Sequence, residues 1–317
     1  MLTLDPHKAA LVALLRRPQA SWSETALKIQ ENGSAKAALD RTVGHCDTLF
    51  PQAESTTKLI DTAAAEVAGW QAEGIGVHAF FDATYPAQLL GIREMPPLLF
   101  SRGDLRVHDR AVAVVGSRKA SSDGLRIARA VATTLAGRGV TVVSGLANGI
   151  DTAAHSAALE AGGRTVAVIG TGIRRYYPAE NRRLQDHIAD VGLVISQFWP
   201  DAPPSRQSFP MRNAVMSGYA VATVVVEAGE TSGARIQARL ALQHGRPVVL
   251  TSQVMRCDWA KAFAENPGVY VVHDTAQLVE AVDDILSYQP TEAVRQRIIS
   301  LFIGADSGGP WRELCAP

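Results

Sequence analysis

Residues 111–124 read AVAVVGSRKASSDG, and this stretch decides the fold. Five small hydrophobic residues, Ala111 to Val115, suit a strand buried on both faces. The chain then turns through Gly116, presents Ser117, Arg118 and Lys119, and enters a helical pattern. Outward from there the same alternation repeats. Apolar runs fitting buried parallel strands fall at 111–115, 140–143, 165–169, 192–195, 221–226, 247–250 and 269–272. Helical stretches lie between most of them, at 123–137, 149–161, 180–190, 211–218, 232–244 and 258–265, and a last one follows at 275–286. Strands alternating with helices predict an α/β fold, a mostly parallel sheet with helices on both faces.

The 317 residues suit one large α/β domain plus a smaller one. Residues 1–78 alternate helical patterns with polar breaks and predict a small N-terminal helical domain. His7 to Arg17 and Thr57 to Gln71 carry apolar residues at helical spacing, and Ser21 stands three residues before Glu24 as a capping-box start. The α/β domain is expected over 79–288, opening with a proline-containing connecting segment at 80–105 that carries short strand or helix pieces. A polar tail, 289–317, carries Gly308-Gly309-Pro310. Formal net charge is zero, so any affinity for nucleic acid must come from a local patch. Cys46, Cys257 and Cys315 are far apart and form no CxxC pair, which argues against a zinc site or a disulfide scaffold and fits a reducing cytosol. The N-terminus resembles an amphipathic helix more than a signal peptide, and no stretch has the length and apolarity of a membrane span. The expectation is a cytoplasmic protein with no metal or cofactor.

In an open α/β sheet, ligands bind at the carboxyl ends of the strands. Three consecutive strands end in glycine turns: Gly116-Ser117-Arg118-Lys119, then Ser144-Gly145-Leu146-Ala147-Asn148-Gly149, then Gly170-Thr171-Gly172 followed by Arg174-Arg175-Tyr176-Tyr177-Pro178. Glycine lets backbone N–H groups approach an anion, and a helix N-terminus adds partial positive charge. One such turn is an ordinary tight turn; three on one edge, two with adjacent basic residues, favour phosphate binding. A fourth piece, SFPMRNAVMSG at 208–218, brings Phe209, Arg212 and Asn213 to the same edge. A fifth, EAGETSGAR at 227–235, starts a helix with Ser232, Gly233 and Arg235. Basic groups along an edge, with Tyr176, Tyr177 and Phe209 between them, suit a single-stranded polynucleotide. For Arg174 and Arg175 a solvated rim is an equal alternative. Four phosphate contacts on a single strand would give a log–log salt slope of about −3.

These motifs, in this order, resemble the DNA-processing protein A family (DprA, also called Smf) of the Smf/DprA–LOG superfamily. The matching stretches are VAVVGSRKAS (112–121), VVSGLANGIDTAAHSAALEAGGRTVAVIGTGI (142–173), YPAENRRL (177–184), FPMRNAVMSG (209–218) and VVVEAGETSGARIQARLALQHGRPV (224–248). ATYPAQLLGIREMPPLLFSRGDL (83–105) looks like the segment preceding the family's nucleotide fold. The resemblance implies an extended Rossmann-like fold that binds single-stranded DNA without hydrolysing it. It also implies transfer of that DNA to the RecA recombinase in natural transformation, and a homodimer. By motif, Ser117 and Arg118 would grip phosphates, Phe209 would stack on a base, and Ser232, Gly233 and Arg235 would dock an anion. Two departures stand out. Residues 250–274 replace the family's Pro-Gly turn and GxNxLIxxGA stretch, and Ala214 stands where the family's FPxRNRIIxG has its second arginine.

Other chemistries fit less well. Asp151 and His155 share a helical spacing, but no third metal ligand is near in sequence, so Asp151 is expected to buttress its loop with His155 beneath. Ser144-Gly145 lacks the GxSxG elbow. The main enzymatic alternative is a LOG-type phosphoribohydrolase, in which Glu227 or Glu230 would assist glycosidic cleavage of a nucleoside monophosphate. A small-nucleotide sensor is a third class. An NAD dehydrogenase fits worst, because GxGxxG and its ribose-binding acid are not both present.

Overall fold

A computed structural model of the chain describes residues 5–18, 20–44 and 55–287. The tail at 289–317, Cys46 and Cys315 lie outside the described residues. The chain divides into two compact units. One gathers the described residues up to Tyr85 with Pro96–Leu99; the other holds Pro86–Met95 and continues from Phe100.

The first unit is built on four helices: α1 (Pro6–Leu15), α2 (Trp22–Asn32), α3 (Ala35–Gly44) and α4 (Thr56–Ala72). A short strand, β1 (Gly76–Ala79), follows. Helix α1 is apolar on every side and buries Ala9 through Leu15, so it is central, with α3 and α4 packed against it. Its start is fixed by the Asp5 carboxylate, which accepts from His7 N at 2.8 Å, and by Pro6 at the first helical position. Ser21 does sit at the N-cap of α2, but its side chain makes no cap hydrogen bond there. The Lys8 ammonium pairs with Asp82 at 2.8 Å and donates to Val77 O at 2.9 Å.

The second unit contains most of the sheet. Its strands are β2 (Leu98–Gly103), β3 (Ala111–Gly116), β4 (Thr141–Ser144), β5 (Thr165–Val168), β6 (Leu193–Ser196), β7 (Ala222–Glu227), β8 (Val248–Thr251) and β9 (Val269–Val272). They lie in the order β2-β6-β5-β4-β3-β7-β8-β9. All neighbours are parallel except β2, which pairs antiparallel with β6 through Phe100↔Ser196 and Gly103↔Leu193. The connecting helices are α5 (Ser122–Gly137), α6 (Ile150–Glu160), α7 (Arg182–Val191), α8 (Ser208–Tyr219), α9 (Gly233–Gln243), α10 (Asp258–Ala264) and α11 (Thr275–Ser287). The expected mostly parallel α/β sheet is therefore present.

Local chemistry explains these elements. Val112 to Val114 are fully buried, as a central strand covered on both faces requires. In α5, Ala128, Val131, Ala132 and Leu135 recur at helical spacing and all face the core. Ser121 caps α5 by accepting from Gly124 N at 3.0 Å. At the amino ends of the strands, buried Asp109 accepts from Thr141 Oγ1 at 2.6 Å, Tyr219 OH at 2.9 Å and Arg164 Nε at 3.1 Å. Burial first, and then the Asp109 charge, push the Tyr219 hydroxyl well above the usual phenol range. This knot clamps the end of the sheet opposite to the glycine turns.

Candidate nucleic-acid interface

Strand order reverses at β3: the chain runs outward through β4, β5 and β6, then crosses to β7 on the other side. The turns leaving β3, β4 and β5 therefore crowd the carboxyl edge at a topological switch point. Gly116 ends β3 where a Cβ would come 2.5 Å from Ile150 and 2.7 Å from the Glu227 carbonyl. Ser117 N donates to Glu227 O at 2.7 Å, and Ser117 O accepts from Ile150 N at 3.2 Å. Gly149, at φ +81°, lets the β4 turn press against Ser117 and Arg118. Lys119 N donates to Ser117 Oγ at 3.1 Å, so the Ser117 hydroxyl organises its own turn. The side chains of Arg118 and Lys119 are exposed on this braced turn.

Arg212 fills the space beneath. The sequence suggests a guanidinium on the rim, whereas the structure leaves Arg212 only 5% exposed. Its Nη1 donates to Gly145 O and to Val168 O, the latter at 2.9 Å, and its Nε donates to Asn213 Oδ1 at 3.0 Å. Gly145 is glycine because a Cβ would overlap that guanidinium. Arg212 thus ties the β4 and β5 strand ends to α8. Asp151 Oδ2 accepts from Gly145 N at 3.1 Å and Ala147 N at 3.3 Å, holding the turn from below. Burial pushes the Asp151 carboxyl up, and the Arg212 charge opposes that shift. Burial likewise lowers Arg212, with Asp151 opposing. His155 Nδ1 meets Thr165 Oγ1 at 2.7 Å, and Thr165 Oγ1 donates to Val142 O, so the ring nitrogen is the donor. Burial, then the Arg212 charge, hold His155 down to about 3. Asp151 and His155 are thus a loop support and a neutral packed ring, as the sequence suggests. Among the described residues no group of His, Cys, Asp or Glu is arranged to hold a metal ion.

The β5 turn carries the aromatic part. A Cβ on Gly170 would lie 2.9 Å from the Phe209 ring, so the ring rests on the glycine backbone. The Arg118 guanidinium stands 5.2 Å from the Phe209 centroid, and the Tyr177 ring is 5.5 Å away. Exposed Arg118 and Tyr177 flank half-buried Phe209 in one cation–aromatic cluster. Gly172 lies where a side chain would overlap the carbonyls of Trp199 and Pro200, and its N–H donates to Ala202 O at 2.9 Å. Arg174 pairs with Asp201 at 2.6 Å, and Arg175 Nε donates to Asp201 O at 3.1 Å. Both arginines are engaged with the loop after β6.

The β7 turn is a separate cluster. Ser232 Oγ accepts from Ala234 N at 3.2 Å as the N-cap of α9, Gly233 faces open space, and Arg235 donates to Glu230 O at 3.3 Å. Among the described residues, no hydrogen bond or ring contact joins these three to Arg118 or Phe209. The Glu227 carboxylate accepts from Ser121 N at 3.1 Å and from Ser121 Oγ at 2.5 Å, at the N-terminus of α5. Glu230 Oε1 accepts from Asp258 N at 3.0 Å, at the start of α10. Both carboxylates act as helix-end anions. Cys257 donates its thiol to Ala228 O at 3.0 Å in the same region.

Sequence reasoning left Asn181 and Leu146 unassigned. Asn181 Nδ2 donates to Leu146 O at 2.9 Å and to Thr152 Oγ1 at 2.8 Å, which fixes Leu146 at φ 59°. The signal was the asparagine of YPAEN, four residues after Tyr177, but its partner is far away in the chain.

The sheet order and the braced glycine turns define a Rossmann-like protein with three glycine turns along its carboxyl edge. The chain belongs to the DNA recombination-mediator protein A family, which matches residues 76–290. It is 43% identical over 171 residues to the DNA processing protein DprA of Streptococcus pneumoniae, covering 54% of this chain and 60% of that relative. The X-ray structure of that species' DNA processing protein A superposes with a TM-score of 0.67 at 28% identity, covering 88% of this chain and 98% of the other. A Helicobacter pylori DNA processing protein A, described for its single-stranded DNA binding mode, superposes with a TM-score of 0.59 at 23% identity, over 67% and 96% of the two chains. Among the described residues no helix is long and apolar enough to cross a membrane.

Proposed function

We propose that this protein binds single-stranded DNA without sequence preference, along the carboxyl edge of β3, β4 and β5. The observation that carries this is the Arg118–Phe209–Tyr177 cluster, with exposed Lys119 beside Arg118 on a turn braced by Gly149 and Glu227. Exposed cations beside aromatic rings on an open edge match a flexible strand with phosphates and unstacked bases. Phosphate contacts of this kind give affinity without sequence information. Arg118, Lys119 and the Ser117 turn are the gripping groups. Gly145, Arg212, Asn213, Gly170 and Gly172 shape the edge, while Arg174, Arg175, Ser232, Gly233 and Arg235 flank it. The description of the Helicobacter pylori relative supports the same ligand. By family, the bound strand is passed to RecA by a homodimer during transformation; accelerated RecA filament growth on coated single strands is the expected sign.

The glycosidase alternative needs a free catalytic carboxylate. Glu227 and Glu230 are engaged at the starts of α5 and α10, so no observation favours it. Fluorescence anisotropy with oligo-dT, duplex DNA and mononucleotides tests the proposal. Tightest binding to the single strand is expected. Equal affinity for duplex, or binding of mononucleotides alone, overturns it.

A further inference from the structure

The turn that carries Arg118 and Lys119 is held at both ends by one residue of a neighbouring strand. At its start, Ser117 N donates to the Glu227 backbone carbonyl at 2.7 Å. At its close, Ser121 N donates to the Glu227 carboxylate, 3.1 Å from Oε1 and 3.2 Å from Oε2, and Ser121 Oγ donates to Oε2 at 2.5 Å. Arg118, Lys119 and Ala120 span the gap between these two anchors. Strand β7 is shaped for this. Val115 pairs with Val225, but Gly116 pairs with Glu227, so β7 carries one extra residue at Val226. A bulge of that kind re-aims the side chain beside it.

Two glycines make room for the same residue. A Cβ on Gly116 would lie 2.7 Å from the Glu227 carbonyl, and one on Gly124 would overlap the Glu227 carboxylate. Neither glycine has a positive φ, so space and not backbone conformation calls for them. The carboxylate also fills the seat at the start of α5 where the helix end would otherwise hold a ligand anion. A ligand phosphate is thereby left to the exposed side chains of Arg118 and Lys119.

We propose that Glu227 is a positioning residue for nucleic-acid binding: it staples the turn so that Arg118 and Lys119 meet the strand already ordered. This rests on the single-stranded DNA reading above and adds what holds its gripping groups. The sign of the effect separates it from plain electrostatics. A carboxylate near phosphates repels them, so if charge were all that Glu227 supplied, removing it would tighten binding. Glu227→Ala is instead expected to weaken oligo-dT binding roughly tenfold, about the cost of ordering one loop residue again on binding. Glu227→Gln keeps an acceptor for Ser121 and should recover most of that loss. In an Arg118→Ala, Lys119→Ala background, Glu227→Ala should change affinity less than about twofold, because the turn then has no charge left to position. Fluorescence anisotropy of the whole protein reads each of these, below the melting temperature of every variant. Should Glu227→Ala fail to fold, Gly124→Ala pushes the carboxylate off Ser121 while leaving Glu227 in place, and it carries the same expectations. Unchanged or tighter binding on loss of the carboxylate, no recovery in Glu227→Gln, or an equal loss in the background lacking both charges overturns the proposal. A wild type that does not bind oligo-dT overturns the single-strand reading itself, and this proposal with it.

Discussion

Gly145→Ala is the sharpest test of how the edge is built. The backbone there needs no left-handed conformation, so the penalty comes only from space. An added methyl overlaps the Arg212 guanidinium. Arg212 then loses its bonds to Gly145 O and Val168 O. Losing two hydrogen bonds from a buried charged group costs about 3–5 kcal/mol, at roughly 1.5–2.5 kcal/mol each. For a domain of this size that corresponds to a fall in melting temperature of roughly 6–20 °C. Urea unfolding gives the free energy, and the same substitution in an Arg212→Met background supplies the control. Without a guanidinium to displace, Gly145→Ala should cost less than about 1 kcal/mol there, a coupling of at least ~2 kcal/mol. Equal costs in both backgrounds would refute the claim that this glycine exists to admit Arg212.

Arg118→Ala should weaken oligo-dT binding strongly and make the salt slope shallower by about 0.7, the share of one single-strand phosphate contact; mobility-shift titration at several salt concentrations measures both. Arg212→Ala, by contrast, should unfold at lower urea while changing the slope little, because the group is buried. Asp109→Asn should cost about 3 kcal/mol in urea unfolding, since Tyr219 and Arg164 Nε lose a buried charged acceptor. His155 takes its proton near 6.5 when unfolded but only at about 3 when folded, so the unfolded chain binds the extra proton. Its contribution to stability therefore falls as pH drops below 6.5, by up to about 1.4 kcal/mol per unit, and His155→Gln should flatten that part of the stability–pH curve. Incubation with nucleoside monophosphates should release no free base; release that Glu227→Gln abolishes would favour the glycosidase.

The sheet was legible because its strands are covered on both faces. A buried strand such as Ala111–Gly116 must be an apolar run, and the expected and observed limits agree to within about a residue. Two elements were legible only in part. Strand β2 was expected only as one of the short strand or helix pieces within 80–105, because it follows Pro96-Pro97 and pairs antiparallel with β6, outside the βα rhythm. Helix α8 begins at Ser208 rather than 211, because Ser205 and Ser208 exchange hydrogen bonds ahead of Pro210. The site was legible as turns and not as side-chain destinations. Glycine next to basic residues marks where an anion can approach. Nothing local in Arg212 says that its partners are the carbonyls of Gly145 and Val168, and nothing in Arg174 or Arg175 points to Asp201. Those outcomes depend on contacts between distant segments.

Photo-crosslinking with oligonucleotides carrying 4-thiothymidine, followed by mass spectrometry, tests the central claim most directly. Crosslinks are expected on the Gly116–Lys119 turn and on Tyr177. Crosslinks confined to α10, α11 or the N-terminal helices, with none on that edge, would contradict it.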